Sequence, residues 1–211
     1  PKALQKKWQK KWEKAKLFES EPKEDQEKYF VNCPYPYMNG YLHLGHAFTY
    51  LRADMVSRYH RMKNKNVLFP FAFHCTGTPI VAAAQRVKEG EKTQIKALKQ
   101  MGLSDSLIKK FSKPEEWTNH FPGKAIKDLK EFGASVDWRR SFITTSLNPS
   151  YDHFIRWQFN QLLAKEYLIK GTFPVVWCPK RETVVGDHDR LSGEGETPQE
   201  YTLLKFKGEE Y

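Results

Sequence analysis

Two histidines, His43 and His46, stand where a proline- and glycine-broken stretch gives way to a strongly periodic one. Residues three apart fall on one side of a first helical turn. The start of a helix offers backbone N–H groups and the positive end of its dipole, both of which attract phosphate. Gly45, between them, has no side chain, so a flat base could approach the backbone. The pattern predicts a nucleotide site in which two imidazoles donate hydrogen bonds to a triphosphate.

The neighbouring segments indicate how this turn is positioned. Residues 28–36 are predicted to be a strand that runs into a turn, and 44–62 a helix. A second strand is predicted over 66–74 and a second helix over 78–90. Alternating strands and helices are typical of a parallel, doubly wound sheet, in which ligands lie at the carboxyl ends of strands. The four letters HLGH alone suit structural histidines equally well, but this position favours the nucleotide site.

The first eighteen residues are predicted to form a lysine-rich helix. Leu4, Trp8, Trp12 and Ala15 fall on one helical stripe. Such a helix could bind nucleic acid or a membrane surface. We favour a helix docked on the body by its two tryptophans, because a tryptophan pair gains from burial.

The rest of the chain is predicted to be mostly helical and then β-rich. Residues 91–128 are charged and are expected to form a helical insertion, followed by an extended segment. Residues 149–168 are expected to form an amphipathic helix with Phe154, Trp157 and Leu162 on its apolar side. From residue 171 the sequence indicates short strands and loops.

Composition limits the kind of protein. A net charge of +10 in 211 residues suggests a polyanionic partner, or a solvated lysine-rich surface. Cys33, Cys75 and Cys178 are far apart and form no Cys-x-x-Cys pair, so we expect no zinc site and a reducing, cytoplasmic location. Apolar runs are too short to span a bilayer, so no membrane partner is expected.

Several segments together resemble one enzyme family. The stretch PYPYMNGYLHLGHAFTY resembles the HIGH signature of class I aminoacyl-tRNA synthetases, and within them the leucyl-tRNA synthetases of archaeal and eukaryotic-cytosolic type. The segments LFPFAFHCTGTPI, FGASVDWRRSFITTS, FIRWQF and DHDRLSGEG follow in the order of that family.

The resemblance implies an α/β fold and a leucine–tRNA ligase activity. Residues 29–170 would form the first half of a Rossmann-like parallel-sheet catalytic domain, after a basic helix and linker at 1–28. Residues 171–211 would begin a β-rich connective insertion that leads to an editing domain. Such enzymes activate L-leucine with ATP, carrying Mg²⁺ as part of the substrate, and then load tRNA(Leu). No tightly bound cofactor is expected.

The resemblance also implies roles for particular residues. The expected catalytic residues are His43 and His46. The expected ATP-binding residues are Met38, Asn39, His43, Gly45 and His46. The expected amino-acid-binding residues are Cys33, Tyr35, Tyr37 and His74. By position alone, His74 could equally cap a strand in a packed loop.

The resemblance does not extend to a whole enzyme. The family's KMSKS-type loop is missing, and HRMKNKN at 60–66 follows the first helix directly, so it is interpreted as a helix end. We therefore expect the remainder of the synthetase in the same or a partner chain, and little or no adenylation by this part alone. Asp187, His188 and Asp189 are interpreted as a loop that bonds to its own backbone, not as metal ligands.

Two alternatives stay open. The first is a synthetase for isoleucine, valine or methionine, because these share the same strand–turn–helix geometry. The second is a non-catalytic RNA-binding or interaction module derived from half of a synthetase, which the basic charge would permit.

Overall fold

A computed structural model describes residues 2–179 and 182–186. The described helices are α1 (Lys2–Lys14), α2 (Leu44–Met62), α3 (Thr78–Lys88), α4 (Lys92–Gln100), α5 (Asp105–Lys110), α6 (Pro114–Phe132) and α7 (Pro149–Ala164), with a short 3₁₀ turn at Trp138–Arg140. The described strands are β1 (Lys28–Phe30), β2 (Asn66–Leu68), β3 (Ala72–Phe73), β4 (Phe142–Ile143), β5 (Trp177–Cys178) and β6 (Thr183–Val184). The chain divides into two compact units, Pro1–Lys170 and Gly171–Tyr211.

The strands of the first unit pair in parallel. β1 lies beside β2 with Tyr29 opposite Val67, and the helix α2 connects them. β3 lies beside β4 with Phe73 opposite Ile143, and helices α3 to α6 connect them. Parallel strands require such crossover connections. The predicted α/β, Rossmann-like architecture is confirmed.

The strands are shorter than predicted, although the first helix matches. α2 spans 44–62, as the periodicity indicated. The strand predicted over 28–36 ends at Phe30, and the one predicted over 66–74 is interrupted between Leu68 and Ala72. Pro70 lies in that interruption and has no N–H to donate to a neighbouring strand. α3 and α7 end at Lys88 and Ala164, two and four residues earlier than predicted.

The core is rich in aromatic rings. Phe69, Phe71 and Phe73 are each 1% exposed and come from the broken second strand. Phe111 and Trp117, from the segment expected to be an insertion, are fully buried in the same cluster. The segment 91–128 is helical as predicted, but it supplies part of the core and is not a solvated addition.

One of the two N-terminal tryptophans docks α1. The Trp12 ring meets Phe18 edge-on with centroids 5.6 Å apart, and the Arg58 guanidinium lies 5.4 Å from the Trp12 ring centre. Gln9 Nε2 donates a hydrogen bond of 2.7 Å to the Glu131 carbonyl. Trp8 is 45% exposed, so the prediction that both tryptophans dock the helix is wrong for Trp8.

Helix α2 buries its polar side. Its three buried residues are Tyr50, Asp54 and Ser57. An Asp54 carboxylate oxygen accepts a 2.5 Å hydrogen bond from the Ser135 backbone N–H, and the other pairs with Arg58 at 2.7 Å. The large apolar residues of α2 are exposed: Leu44, Phe48, Leu51, Met55, Val56, Tyr59 and Met62. We call this set the α2 apolar stripe.

Helix α7 also leaves apolar side chains uncovered. None of its residues is buried, and the predicted apolar residues Phe154 and Trp157 are 55% and 56% exposed. Its start is capped by Asn148, whose side-chain oxygen accepts from the Tyr151 N–H.

In the second unit, β5 and β6 pair in antiparallel fashion, with Trp177 opposite Val184. The predicted loop at Asp187, His188 and Asp189 lies outside the described residues. No helix in the described part of the chain is both long and apolar enough to cross a membrane.

Candidate functional site

The first part of the site forms where the chain leaves β1 and β3. Tyr37 and His74 form an isolated parallel bridge, in which His74 N–H donates to the Pro36 carbonyl at 2.8 Å. The Met38 N–H donates to the His74 carbonyl at 3.1 Å, and Met38 is fully buried. The Tyr37 and His74 rings lie 4.2 Å apart between centroids. Two of the predicted amino-acid-binding residues therefore come together with one predicted ATP-binding residue.

The second part of the site is the start of α2, where the two histidines cap the helix reciprocally. His43 is the N-cap residue, and its Nδ1 accepts a 3.1 Å hydrogen bond from the Gly45 N–H. His46, three residues on, accepts a 3.2 Å hydrogen bond from the His43 N–H through its own Nδ1. The two rings lie 4.0 Å apart. This is the arrangement of a capping box, built here from two imidazoles.

The reciprocal caps fix the tautomer of each neutral imidazole. A ring nitrogen that accepts a hydrogen bond carries no proton, so the proton of each neutral ring must be on Nε2. Burial, and then the charge of His43, lower the pKa of His46 and keep it neutral near pH 7. The start of α2 therefore presents two Nε2–H groups as donors. One backbone N–H of its first turn, that of Gly45, already donates to His43.

Gly45 is required by the first of these rings. A Cβ built on Gly45 would lie 3.0 Å from His43 Cε1 and 3.1 Å from Nδ1, which is closer than ordinary contacts. The residue therefore matters for the placement of His43.

Packed rings connect the start of α2 with Tyr35, another predicted amino-acid-binding residue. His46 stacks near Tyr50 with centroids 5.9 Å apart, and Tyr50 meets Phe71 edge-on at 4.9 Å. Tyr35 lies 6.3 Å from the same Phe71 ring. Burial raises the pKa of the Cys33 thiol to about 11, so Cys33 is a neutral, apolar neighbour and not a nucleophile.

A threonine pair, with Thr76 after β3 and Thr144 after β4, completes the strand-end edge. Thr76 Oγ1 lies 3.1 Å from His74 Nδ1 and 3.3 Å from Thr144 Oγ1. The buried Thr144 Oγ1 also accepts from the Cys75 N–H at 2.9 Å. Burial lowers the pKa of His74, so this imidazole is neutral near pH 7.

Sequence reasoning missed Thr144 and Thr145. Thr145 has a φ of 108°, which is strained for a β-branched residue and is the kind of geometry found at functional sites. A signal existed, because parallel strands end at one edge of a sheet and the segment before Thr144 was predicted to be extended.

Other parts of the described chain do not add to the site. A cavity of about 600 Å³ lies between α1 and residues 130–139 and contains no predicted site residue. Within 2–179 and 182–186, no three His, Cys, Asp or Glu side chains group as metal ligands would. The expectation of no zinc stays a prediction.

Comparison with known proteins points to one family. The profile described as "tRNA synthetases class I (I, L, M and V)" matches residues 7–201. The chain is 50% identical over 98% of its length to a protein named leucine–tRNA ligase from Aeropyrum pernix, covering 22% of that protein. It is 40% identical to the cytoplasmic leucine–tRNA ligase of Pongo abelii, again over 98% of this chain and 22% of that one. The chain thus spans about a fifth of the length of the curated relatives it matches.

A solved structure has a similar fold. It is the ternary complex of Agrobacterium radiobacter K84 agnB2 LeuRS with tRNA and LeuAMS, with a TM-score of 0.63 and 23% identity. The match covers 86% of this chain and 20% of that one. At this identity the likeness concerns the fold alone.

Proposed function

Because the chain belongs to the class I tRNA synthetases of the isoleucine, leucine, methionine and valine group, we propose that it supplies the HIGH half of a leucine–tRNA ligase active site. The names of relatives at 40–50% identity support leucine as the amino acid and tRNA(Leu) as the acceptor. The single observation that carries the catalytic proposal is the reciprocal capping of His43 and His46 at the start of α2.

The proposed reaction is adenylation followed by transfer. A leucine carboxylate oxygen forms a bond to the α-phosphorus of ATP, and the bond from that phosphorus to the bridging oxygen breaks. Pyrophosphate leaves with its Mg²⁺, and a terminal ribose hydroxyl of the tRNA then displaces AMP from the leucyl-adenylate. Reactions of this kind depend on positioning and charge stabilisation more than on covalent protein chemistry.

The two capping histidines are proposed to stabilise the phosphate charge. Their Nε2–H groups are preorganised donors, since each Nδ1 is held by a backbone N–H. Gly45 lets the His43 ring pack closely on its backbone, and the adenine is proposed to lie against this glycine with Met38 and Asn39 next to the nucleotide.

The amino acid is proposed to lie against the strand-end edge. The neutral His74 can accept a hydrogen bond from the substrate ammonium, with Tyr37 packed on it at 4.2 Å. Tyr35 and the neutral Cys33 thiol offer an apolar surface for the leucine side chain. The threonine pair at Thr76 and Thr144 would hold the His74 ring in place.

The remainder of a synthetase is proposed to complete the site. The α2 apolar stripe and the exposed Phe154 and Trp157 of α7 form more uncovered apolar surface than isolated soluble domains usually carry. A second half of the catalytic domain, in the same or a partner chain, would cover the α2 apolar stripe. In this proposal residues 1–28 are an appended helix and linker, 29–170 the first catalytic half, and 171–211 the start of an insertion.

Two other functions are testable alternatives. Related synthetases for isoleucine, valine or methionine would differ mainly in an apolar pocket, where one methylene changes binding by only about 1–3 kcal/mol. A non-catalytic RNA-binding module would bind RNA with a steep salt dependence and ignore a leucyl-adenylate analogue.

ATP–pyrophosphate exchange tests the proposal. The intact protein should exchange with leucine and at most weakly with isoleucine, valine or methionine, while residues 1–211 alone should exchange little or not at all. Equal exchange with another of these amino acids would reassign the substrate. No exchange by the intact protein with any of them, together with RNA binding, would favour the non-catalytic module.

A further inference from the structure

We propose that the outward face of α1 is an RNA-binding surface, separate from the nucleotide site at α2. The ligand would be the phosphate backbone of a folded RNA, with one unpaired base stacked on Trp8. The inference relies on the proposed function only for the choice of tRNA as the probe.

The charge of α1 is concentrated and uncompensated. Its 13 residues contain six lysines and one glutamate, so it carries five of the ten net positive charges of the chain. None of the six lysines forms an ion pair with an acidic residue in the described part of the chain; the one acid, Glu13, lies 3.9 Å from Lys130 of α6. Half of the net charge of the protein is therefore presented by one short helix.

The lysines are also placed to repel one another. At about 100° per residue, all six fall on one half of the helix circumference. Four pairs are one turn apart, at i and i+4, where like charges destabilise a helix. A merely solvated helix avoids this by alternating lysine with glutamate. A polyanion bound along this face would be attracted by all of the lysines and would relieve the repulsion between them.

The opposite half of α1 is held against the body. Gln5 and Gln9 both donate to the Glu131 carbonyl, and Trp12 packs on Phe18 and next to Gly133. Because the docked half is fixed, the positions of the lysines are fixed as well. Lys6 and Lys10 line the cavity between α1 and residues 130–139, whereas Lys2, Lys7, Lys11 and Lys14 do not. The helix is thus a preorganised array of cations, which reduces the entropy lost when it binds.

Trp8 lies outside the lysine half, about 60° around the helix from Lys11. Its ring is 45% exposed, and the Lys11 ammonium sits 4.8 Å from the ring centre. An exposed indole beside lysines is a stacking platform for a nucleobase, and such stacking is tolerant of sequence. An anionic membrane fits less well, since an interfacial helix needs a continuous apolar face and the docking contact already uses Trp12.

The test compares two sets of four charge-removing substitutions in the intact protein. One replaces Lys2, Lys7, Lys11 and Lys14 of α1 by glutamine. The matched control replaces the exposed Lys92, Lys96, Lys109 and Lys110 of α4 and α5, which removes the same charge elsewhere. Binding of a labelled tRNA(Leu) transcript is measured by fluorescence anisotropy from 50 to 300 mM KCl.

The α1 variant should bind at least tenfold more weakly at 100 mM KCl. The slope of log K against log[KCl] should become shallower by about three, because each of four lost phosphate contacts contributes roughly 0.7–0.9 to it. The control should change binding less than twofold. Trp8→Ala should weaken binding severalfold, and Trp8→Phe should restore most of it. Equal effects of the two lysine sets on tRNA binding, or no effect of either, would overturn the proposal. An α1 variant that loses binding to phosphatidylserine vesicles but keeps tRNA binding would overturn it as well.

Leucine-dependent ATP–pyrophosphate exchange, which requires no RNA, keeps this result apart from the proposed function. It should be unchanged in the α1 variant. If the intact protein binds tRNA through α1 yet shows no exchange, the surface stands and the proposed enzyme activity fails.

Discussion

At the scale of single residues, His43 and His46 combine an observed structural role with the proposed chemical one. Each ring uses Nδ1 to accept a backbone N–H at the start of α2, which leaves Nε2–H to donate elsewhere. The cap and the donor are thus different atoms of one side chain. The two roles can be separated by substitution.

His43→Asn should separate them. Asparagine is a good N-cap residue, so the free energy of unfolding should change by less than about 0.5 kcal/mol, whereas His43→Ala should lose about 1 kcal/mol. Both variants lack the Nε2–H donor, so both should slow leucine-dependent exchange at least 100-fold. Near-normal exchange in His43→Asn would mean that the histidine only caps the helix.

The pH dependence of stability should reflect the half-buried imidazoles of His46 and His74. Burial holds the pKa of His46 and of His74 below the ordinary value of 6.5. Between the folded and unfolded pKa values the unfolded chain binds more protons, so unfolding becomes easier as the pH falls. The stabilisation is complete above about pH 6.5 and is lost on acidification below it.

Urea denaturation at intervals from pH 8 to pH 5 measures this effect. In the wild-type protein, the urea concentration at the unfolding midpoint should decrease as the pH is lowered below 6.5. In the double variant His46→Gln, His74→Gln this midpoint concentration should decrease less steeply. An identical slope in both proteins would show that other groups control the acid sensitivity.

At the scale of elements, α2 is fixed by polar contacts on its buried side. Asp54 is 6% exposed and joins α2 to the loop after α6, through the Ser135 N–H and Arg58. Arg58 in turn donates to the Gly133 carbonyl at 2.5 Å. α2, which carries both histidines at its start, is therefore positioned by this charged network and by Tyr50 packed on Phe71, and not by the apolar stripe.

Asp54→Ala should be strongly destabilising. It leaves the buried Ser135 N–H unsatisfied and removes the partner of Arg58, whose side chain is 36% exposed, at a cost of about 2 kcal/mol. The matched control is Asp152→Ala in α7, where the same i to i+4 pairing with Arg156 at 2.8 Å is more exposed and is worth about 0.5 kcal/mol. Chemical denaturation measures both, and equal losses would contradict the assigned role of Asp54.

Periodicity predicted the elements better than it predicted their contacts. The proline- and glycine-broken stretch before His43 placed the start of α2, and its apolar spacing identified a helix. The spacing could not tell which side is covered, because Phe48 and Met55 are exposed while the buried positions are Asp54 and Ser57. Thr144 was missed for a related reason: a strand of two residues has too little pattern to mark its end.

At the scale of the whole molecule, the exposed stripe predicts opposite behaviour in two settings. Met55 is 62% exposed here, but the proposed second catalytic half would cover it. Met55→Glu should change the free energy of unfolding of residues 1–211 by less than about 0.5 kcal/mol, as expected for a surface substitution. In the intact protein the same change should bury a charge and lower the melting temperature by several degrees.

Val81→Glu is the matched control. Val81 is 57% exposed on α3, away from the α2 apolar stripe, and its replacement should be neutral in both proteins. Thermal unfolding of the four variants makes the comparison. Neutral behaviour of Met55→Glu in the intact protein would show that the stripe is not an internal interface.

The docking of α1 has a consequence in time. The Ser20 N–H donates to Asp137, which lies 117 residues later in the sequence. Gln9 donates to the carbonyl of Glu131, which lies 122 residues later. At a synthesis rate of roughly 5–20 residues per second, α1 is therefore made about 6–24 s before the residues to which it docks. During that interval a helix with no buried residue and five net charges stays dispersed in water, so the lysines that repel one another also protect the nascent chain from premature association.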